Sequence, residues 1–251
     1  MKGIFVFGFS KTRRYAEVAY MKIHGIQKMT LLDYPGRVAC TVFLAGCDFR
    51  CPFCHNSELI GGEAEPVMGE DEFFSFLNKR KGLLDGVAVT GGEPMLRADL
   101  PEFFRKIKSL GYPVKCDTNG NHPEMLKTLI DEGLVDYVAM DIKNSPERYG
   151  ETAGLPAFAT AKVEESINIL LAGNVDYEFR TTVVRELHDS ESFEGIGKWI
   201  TGAERYFLQP FIDRDTVAFS GLSAPSEEEL KTYKNIVKPY VKNISVRGVE
   251  E

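Results

Sequence analysis

Arg37-Val38-Ala39-Cys40-Thr41-Val42-Phe43-Leu44 runs through Ala45-Gly46 into Cys47-Asp48-Phe49-Arg50-Cys51-Pro52-Phe53-Cys54-His55-Asn56. The first segment is apolar and strand-like. The second holds three of the chain's five cysteines, spaced C-x3-C-x2-C. Loop gaps this short have ample reach to wrap one small inorganic centre. Three thiolates on a four-iron cluster leave one iron with no protein ligand, an open position where a small molecule can bind and react. Two other metal readings stay open at this point. Zinc would use the three cysteines with His55, or with a distant Cys40, Cys116, His24 or His122, in a closed four-ligand site. Cys51-Pro52-Phe53-Cys54-His55 also has the C-x-x-C-H spacing of haem attachment, which leaves Cys47 unused. Five cysteines in a chain this long do not make a stapled, disulfide-dense scaffold.

Outward from this loop, strands and helices alternate. The pattern predicts strands at 23–30, 37–44, 86–90, 114–116, 135–140, 177–184, 206–208 and 241–246. It predicts helices at 70–81, 100–110, 123–132, 163–171, 193–200 and 227–237. Ile23, Ile26 and Met29 are the expected buried positions of the first strand, and Phe103, Phe104, Ile107 and Leu110 those of the second helix. Such alternation argues for an α/β fold: a parallel sheet with helices outside, curled into a partial (β/α)6-type barrel. The cysteine loop, Gly91-Gly92-Glu93-Pro94, Asp117-Thr118-Asn119 and Asp141-Ile142-Lys143 all leave the C-terminal ends of expected strands. In α/β barrels and open α/β sheets that edge carries the active site.

Composition narrows the function classes. The chain has 251 residues, 43% hydrophobic and 27% charged, as expected of a globular protein. Its 37 acidic and 30 basic residues give a net charge of -7, which argues against a nucleic-acid-binding surface. No apolar run approaches the roughly 20 residues needed to span a membrane. Residues 1–22 read as an N-terminal extension, with Met21 as an alternative start, and 23–251 as a single domain. Arg13-Arg14 follow the apolar run Ile4–Phe9 rather than precede it, the wrong order for an export signal. A cytoplasmic location is expected, where thiols stay reduced and can hold metal.

Paired glycines after a strand let backbone approach a ligand closely, and Glu93 adds a negative charge beside them. Asp117 and Asp141 read alone as strand-end residues, and Lys143 as a solvated cation. Taken with the cysteine loop, these motifs resemble the radical S-adenosylmethionine enzymes, and within them the glycyl-radical-enzyme activating enzymes. Gly25-Ile26-Gln27-Lys28-Met29-Thr30-Leu31-Leu32-Asp33-Tyr34-Pro35-Gly36, Cys54-His55-Asn56, Phe179-Arg180-Thr181-Thr182-Val183-Val184 and Leu208-Gln209-Pro210-Phe211 resemble the activating proteins of anaerobic ribonucleoside-triphosphate reductase. The resemblance spans roughly Ile23 to Phe211, most of the chain.

The resemblance implies a 4Fe-4S cluster on Cys47, Cys51 and Cys54, with S-adenosyl-L-methionine at the open iron. Gly91, Gly92 and Glu93 would hold its ammonium group. Phe53 would lie near the adenine, and Asp117, Asp141, Lys143 and Arg180 would line the co-substrate site. Asp117, Thr118, Met140 and Asp141 would surround a monovalent cation. The implied reaction is reductive cleavage of the sulfonium, then hydrogen abstraction from a backbone glycine of a partner glycyl radical enzyme. A flavodoxin or ferredoxin-type protein would donate the electron. No side-chain catalyst is required, and His55 is expected to order the loop. Two departures stand out: Arg185-Glu186-Leu187-His188 replaces an expected Pro-Gly, and Gln209-Pro210-Phe211 stands where a histidine is expected. The alternatives are radical chemistry on a small molecule, of the deazapurine-biosynthesis type, and a zinc-binding structural module.

Overall fold

Side chains along the strands sort into two faces. Cys40, Val42 and Leu44 of β3 (Ala39–Leu44) are buried in the main core. Val87 and Val89 of β5 (Gly86–Gly91), Val114 and Cys116 of β6 (Val114–Thr118), and Val138 and Met140 of β7 (Tyr137–Asp141) join them. The residues between are mostly small or polar (Thr41, Ala88, Lys115, Asp117, Ala139 and Asp141), with Phe43 the large apolar exception. Strand periodicity puts these on the opposite face. The apolar face takes the helices, and the mixed face lines an interior.

The structure, a computed structural model, describes residues 20–248. The sheet order is β10-β9-β8-β7-β6-β5-β3-β2, with β2 at Gly25–Thr30, β8 at Asp176–Val183, β9 at Tyr206–Pro210 and β10 at Ile244–Val246. Strands β3 and β5 to β9 supply six parallel staves. To these β10 adds a parallel edge and β2 an antiparallel one. A two-stranded ribbon pairs β1 (Lys22–Ile23) with β4 (Met68–Gly69), and its Ile23 is buried in the main core. This is the partial parallel barrel expected from the alternation.

The helices are α1 (Glu70–Lys79), α2 (Leu100–Ser109), α3 (Pro123–Asp131), α4 (Tyr149–Ala153), α5 (Ala161–Leu171), α6 (Ser190–Trp199) and α7 (Glu227–Val237). In α2 the spacing of Leu100, Phe103, Phe104 and Ile107 puts all four on one buried stripe. Capping boxes start two helices: Asp189 with Ser192 for α6, and Ser226 with Glu229 for α7.

Three expectations need correction. Met29 is 65% exposed, while its neighbour Thr30 is buried. The register of β2 against β3 shifts between Gln27 and Thr30, and an irregularity there resets which side chains face inward. The first predicted strand is also broken at His24, whose Nδ1 accepts a hydrogen bond from the Ala45 amide at 3.1 Å. Helix α4 was not expected at all. It buries Tyr149, whose ring meets Phe49 edge-on at 6.2 Å and stacks on Phe158 at 5.6 Å. Of the expected N-terminal extension, residues 1–19 lie outside the described residues. Met21 is buried, and its amide donates to Glu70 Oε2 at 2.8 Å.

The loops after β7 and β8 are tied together under the site. His188 is buried, with Nε2 at 2.8 Å from the Lys143 carbonyl oxygen and Nδ1 at 3.1 Å from the Val184 amide. Asn144 Nδ2 donates to the Leu187 carbonyl at 3.0 Å. Nε2 donates to the Lys143 carbonyl, while Nδ1 lies 3.1 Å from both the amide and the carbonyl oxygen of Val184, and in the neutral ring it accepts from the amide. Burial holds the His188 pKa below its ordinary value. As pH falls below about 6.5, the unfolded chain binds a proton that folded His188 refuses, so this residue's contribution to stability declines with falling pH. Comparing chemical denaturation of the native protein and His188→Gln across this range should show a difference in slope of up to ~1.4 kcal/mol per pH unit. Parallel pH profiles would show that the imidazole is not held neutral.

Candidate active site

The cysteine loop leaves the C-terminal end of β3 and is anchored along its length. The Gly46 amide donates to Leu59 O at 2.7 Å and the Cys47 amide to Ile60 O at 3.2 Å. The Arg50 amide donates to Ala153 O at 2.8 Å, at the end of α4. Phe49 is buried and packs edge-on against Phe158 at 5.1 Å. These contacts hold Cys47, Cys51 and Cys54 on the wall of one cavity of about 220 Å³. All three are free thiols. Burial pushes Cys47 up to about 12 and Cys51 up to about 11, and raises Cys54 as well.

Gly91-Gly92 explains itself at the backbone. The Gly92 amide donates to Leu44 O at 2.8 Å, and the Glu93 amide to Gly46 O at 2.7 Å. A Cβ on Gly91 would sit 2.2 Å from the Leu44 carbonyl oxygen, and one on Gly92 2.1 Å from that of Gly46. Gly91 also has a φ of +127°, which disfavours any side chain. The glycines are thus required by close approach to the cysteine loop, and their other side lines the cavity.

Glu93 does not line that cavity. It is buried, with Oε1 accepting from Met95 N at 2.9 Å and Thr118 Oγ1 at 3.0 Å, and Oε2 accepting from Asn119 N at 2.6 Å. Burial raises its pKa to about 7 against these bonds. It is a strut between the loops after β5 and β6.

Asp117, Asp141, Lys143 and Arg180 come together on the cavity wall. Arg180 donates through Nε to Asp141 Oδ1, and through Nη2 to Asp117 Oδ2 at 3.1 Å. Lys143 Nζ donates to Asp141 Oδ2 at 2.7 Å, and Lys115 Nζ to Asp117 Oδ1. Burial alone would raise both carboxylates, but the neighbouring cations hold Asp117 below, and Asp141 well below, the usual range. Burial would likewise discharge Lys143, but Asp141 keeps it charged. Phe53 is buried, and Lys143 Nζ lies 5.9 Å from its ring centroid. Thr118 spends its hydroxyl on Glu93, and Met140 is fully buried in the core. Between the two carboxylates the positive charge comes from Arg180, with which any monovalent cation would compete.

His55 Nε2 sits 2.7 Å from the Ile212 carbonyl oxygen, and its ring stacks on Phe211 at 5.7 Å. The loop-ordering role expected of it fits. Among the described residues no group of three or more His, Cys, Asp or Glu is placed to hold a metal ion. A four-iron cube sets its ligands around a larger body than a single ion does. Three free thiols around one cavity suit that donor set. No structural role for Asp48, Lys115 or His188 was legible in the sequence, where His188 stood out only as part of a departure from the expected Pro-Gly. Only Asp48, charged and adjacent to Cys47, carried a local signal.

Residues 41–196 match the family model of the radical SAM superfamily. A protein of Methanocaldococcus jannaschii named as a glycyl-radical enzyme activating enzyme is 33% identical over 238 residues, covering 90% of this chain and 96% of its own length. The pyruvate formate-lyase-activating enzyme of Listeria monocytogenes is 34% identical over 142 residues, 51% of this chain and 56% of that one. Among solved structures, Streptococcus suis SuiB bound to S-adenosylmethionine superposes with a TM-score of 0.64 at 12% identity, over 83% of this chain and 52% of that one. The protein belongs to the radical SAM superfamily and is an enzyme of the glycyl-radical-enzyme activating type.

Proposed function

We propose that the chain activates a glycyl radical enzyme, an anaerobic ribonucleoside-triphosphate reductase by the resemblance carried by Gly25–Gly36, Cys54–Asn56, Phe179–Val184 and Leu208–Phe211, using S-adenosylmethionine and a 4Fe-4S cluster on Cys47, Cys51 and Cys54. The observation that carries this reading is that the three thiols share one cavity with Gly91, Gly92, Asp117, Asp141, Lys143 and Arg180. Cys47, Cys51 and Cys54 would hold the cluster, which would supply one-electron reductive cleavage of the co-substrate's sulfonium and so the means of taking hydrogen from the partner's glycine.

The chain's residues bind, orient and shield. Lys143 and Arg180 are held charged and keep N–H groups beyond those spent on Asp141 and Asp117. They suit the carboxylate and ribose of the co-substrate. Gly91 and Gly92 present backbone carbonyls to its ammonium, with the Gly91 carbonyl already accepting from Asn56 Nδ2 at 3.2 Å. Phe53 offers an apolar ring to the adenine. Glu93 supports the ammonium site from behind rather than touching the ligand. A flavodoxin or ferredoxin-type donor and a cytoplasmic setting complete the proposal. No described helix is long and apolar enough to cross a membrane.

Anaerobic reconstitution should load about four irons per chain. Reduction with S-adenosylmethionine should then yield 5′-deoxyadenosine, and Cys47→Ala, Cys51→Ala or Cys54→Ala should each abolish it. A fully loaded protein that forms no 5′-deoxyadenosine would contradict the proposal. Added partner reductase should acquire a glycyl radical signal in electron paramagnetic resonance, and its absence beside normal cleavage would move the substrate elsewhere.

Arg180→Lys tests the charge ladder. A lysine cannot bridge two carboxylates through a planar fork. The KM for S-adenosylmethionine should rise by roughly ten- to a hundredfold, as for loss of a charged hydrogen bond at ~1.5–3 kcal/mol. An unchanged KM would remove Arg180 from the binding site.

A further inference from the structure

Asp48 stands between a proposed cluster ligand, Cys47, and the buried anchor Phe49. It is absent from the cavity wall. Its carboxylate nevertheless draws three donors from one short loop. Asn119 Nδ2 donates to Oδ1 at 2.7 Å, Asn121 Nδ2 donates to Oδ2 at 2.6 Å, and His122 Nε2 lies 3.0 Å from Oδ2. Both Asp48 and His122 side chains are about three-quarters buried, at 23% and 22% exposure. An exposed pair of this kind contributes little, but a largely buried carboxylate with three converging donors is a fixed joint.

The segment it grips is held from its other side as well. Glu93 accepts from Thr118 Oγ1 and the Asn119 amide, and Asn119 Oδ1 accepts from the Asn121 amide at 2.9 Å. Thr118 to His122 therefore lies between two carboxylates, one from the cysteine loop and one from the loop after β5. Asp117, which carries Arg180, immediately precedes this segment.

We propose that Asp48, with Asn119, Asn121 and His122, is a positioning clamp that fixes Cys47 relative to the charged wall of the cavity. It acts through Cys47 and Asp117 and touches no ligand. The inference rests on the cluster reading above. A cluster tethered at three corners is released once one sulfur drifts, so the clamp governs how long iron is retained.

The test follows iron release from anaerobically loaded full-length protein to a ferrous chelator, alongside the thermal midpoint of the iron-free protein. Asp48→Asn and His122→Leu should each release iron about tenfold faster, equivalent to ~1.4 kcal/mol. His122→Gln keeps an N–H toward Asp48 and should stay within about twofold of the native rate, which a general packing role would not predict. The iron-free midpoints of the His122 pair should agree. If Asp48→Asn fails to fold, the His122 pair decides alone. Release at the native rate in His122→Leu, or equal loss in His122→Gln and His122→Leu, overturns the clamp and leaves the cluster reading intact. A native protein that loads no iron overturns both.

Discussion

One guanidinium joins three strands. Arg180 on β8 is bonded to Asp141 on β7 and to Asp117 on β6. Register sets up the first contact, because Asp141 and Arg180 are paired across the parallel ladder. Buried charges are costly unless paired and hydrogen bonded, so the ladder constrains every side chain that shares it. Lys115 and Lys143 complete the pairing of the carboxylates. On the cavity wall Lys143 and Arg180 balance Asp117 and Asp141, with Lys115 bonded to Asp117 from behind. A ligand carboxylate would be received there by donors already held in place, which spares reorganisation when it binds.

The cysteine loop meets this edge as a neighbour with its own restraints. Backbone contact with Gly91-Gly92 is so close that no side chain fits between the loops after β3 and β5. On its far side the loop leans on α4 through Arg50 and Phe49. The two restraints separate tasks: backbone packing sets where the thiols are, and the charge ladder sets what else can enter the cavity. Neither depends on a side-chain acid or base at the reacting atoms, in keeping with chemistry carried by a cofactor.

Most of the architecture could be read from residue patterns because it is local. Long helices such as α2 declare themselves through their buried stripe, and Gly-Gly, Asp-Thr-Asn and Asp-Ile-Lys each stop a strand. What escaped detection depends on contacts distant in sequence. Helix α4 is a single short turn, Tyr-Gly-Glu-Thr-Ala, too brief to show a period. Met29 was misplaced because a register irregularity is invisible without the partner strand. Glu93 reads as a ligand contact from its place beside the glycine pair, yet its oxygens accept from Met95, Thr118 and Asn119. Lys115 and His188 resemble ordinary strand and loop residues until their partners arrive from neighbouring strands.

The central claim is a cluster held by three sulfurs with one iron left to the co-substrate. Mössbauer spectroscopy of the iron-57-loaded protein, with and without S-adenosylmethionine, tests it most directly. A single iron subsite should change its isomer shift and quadrupole splitting when the co-substrate is added, while the others stay put. A spectrum indifferent to the co-substrate, from a cluster whose irons are all equally coordinated by protein, would contradict it.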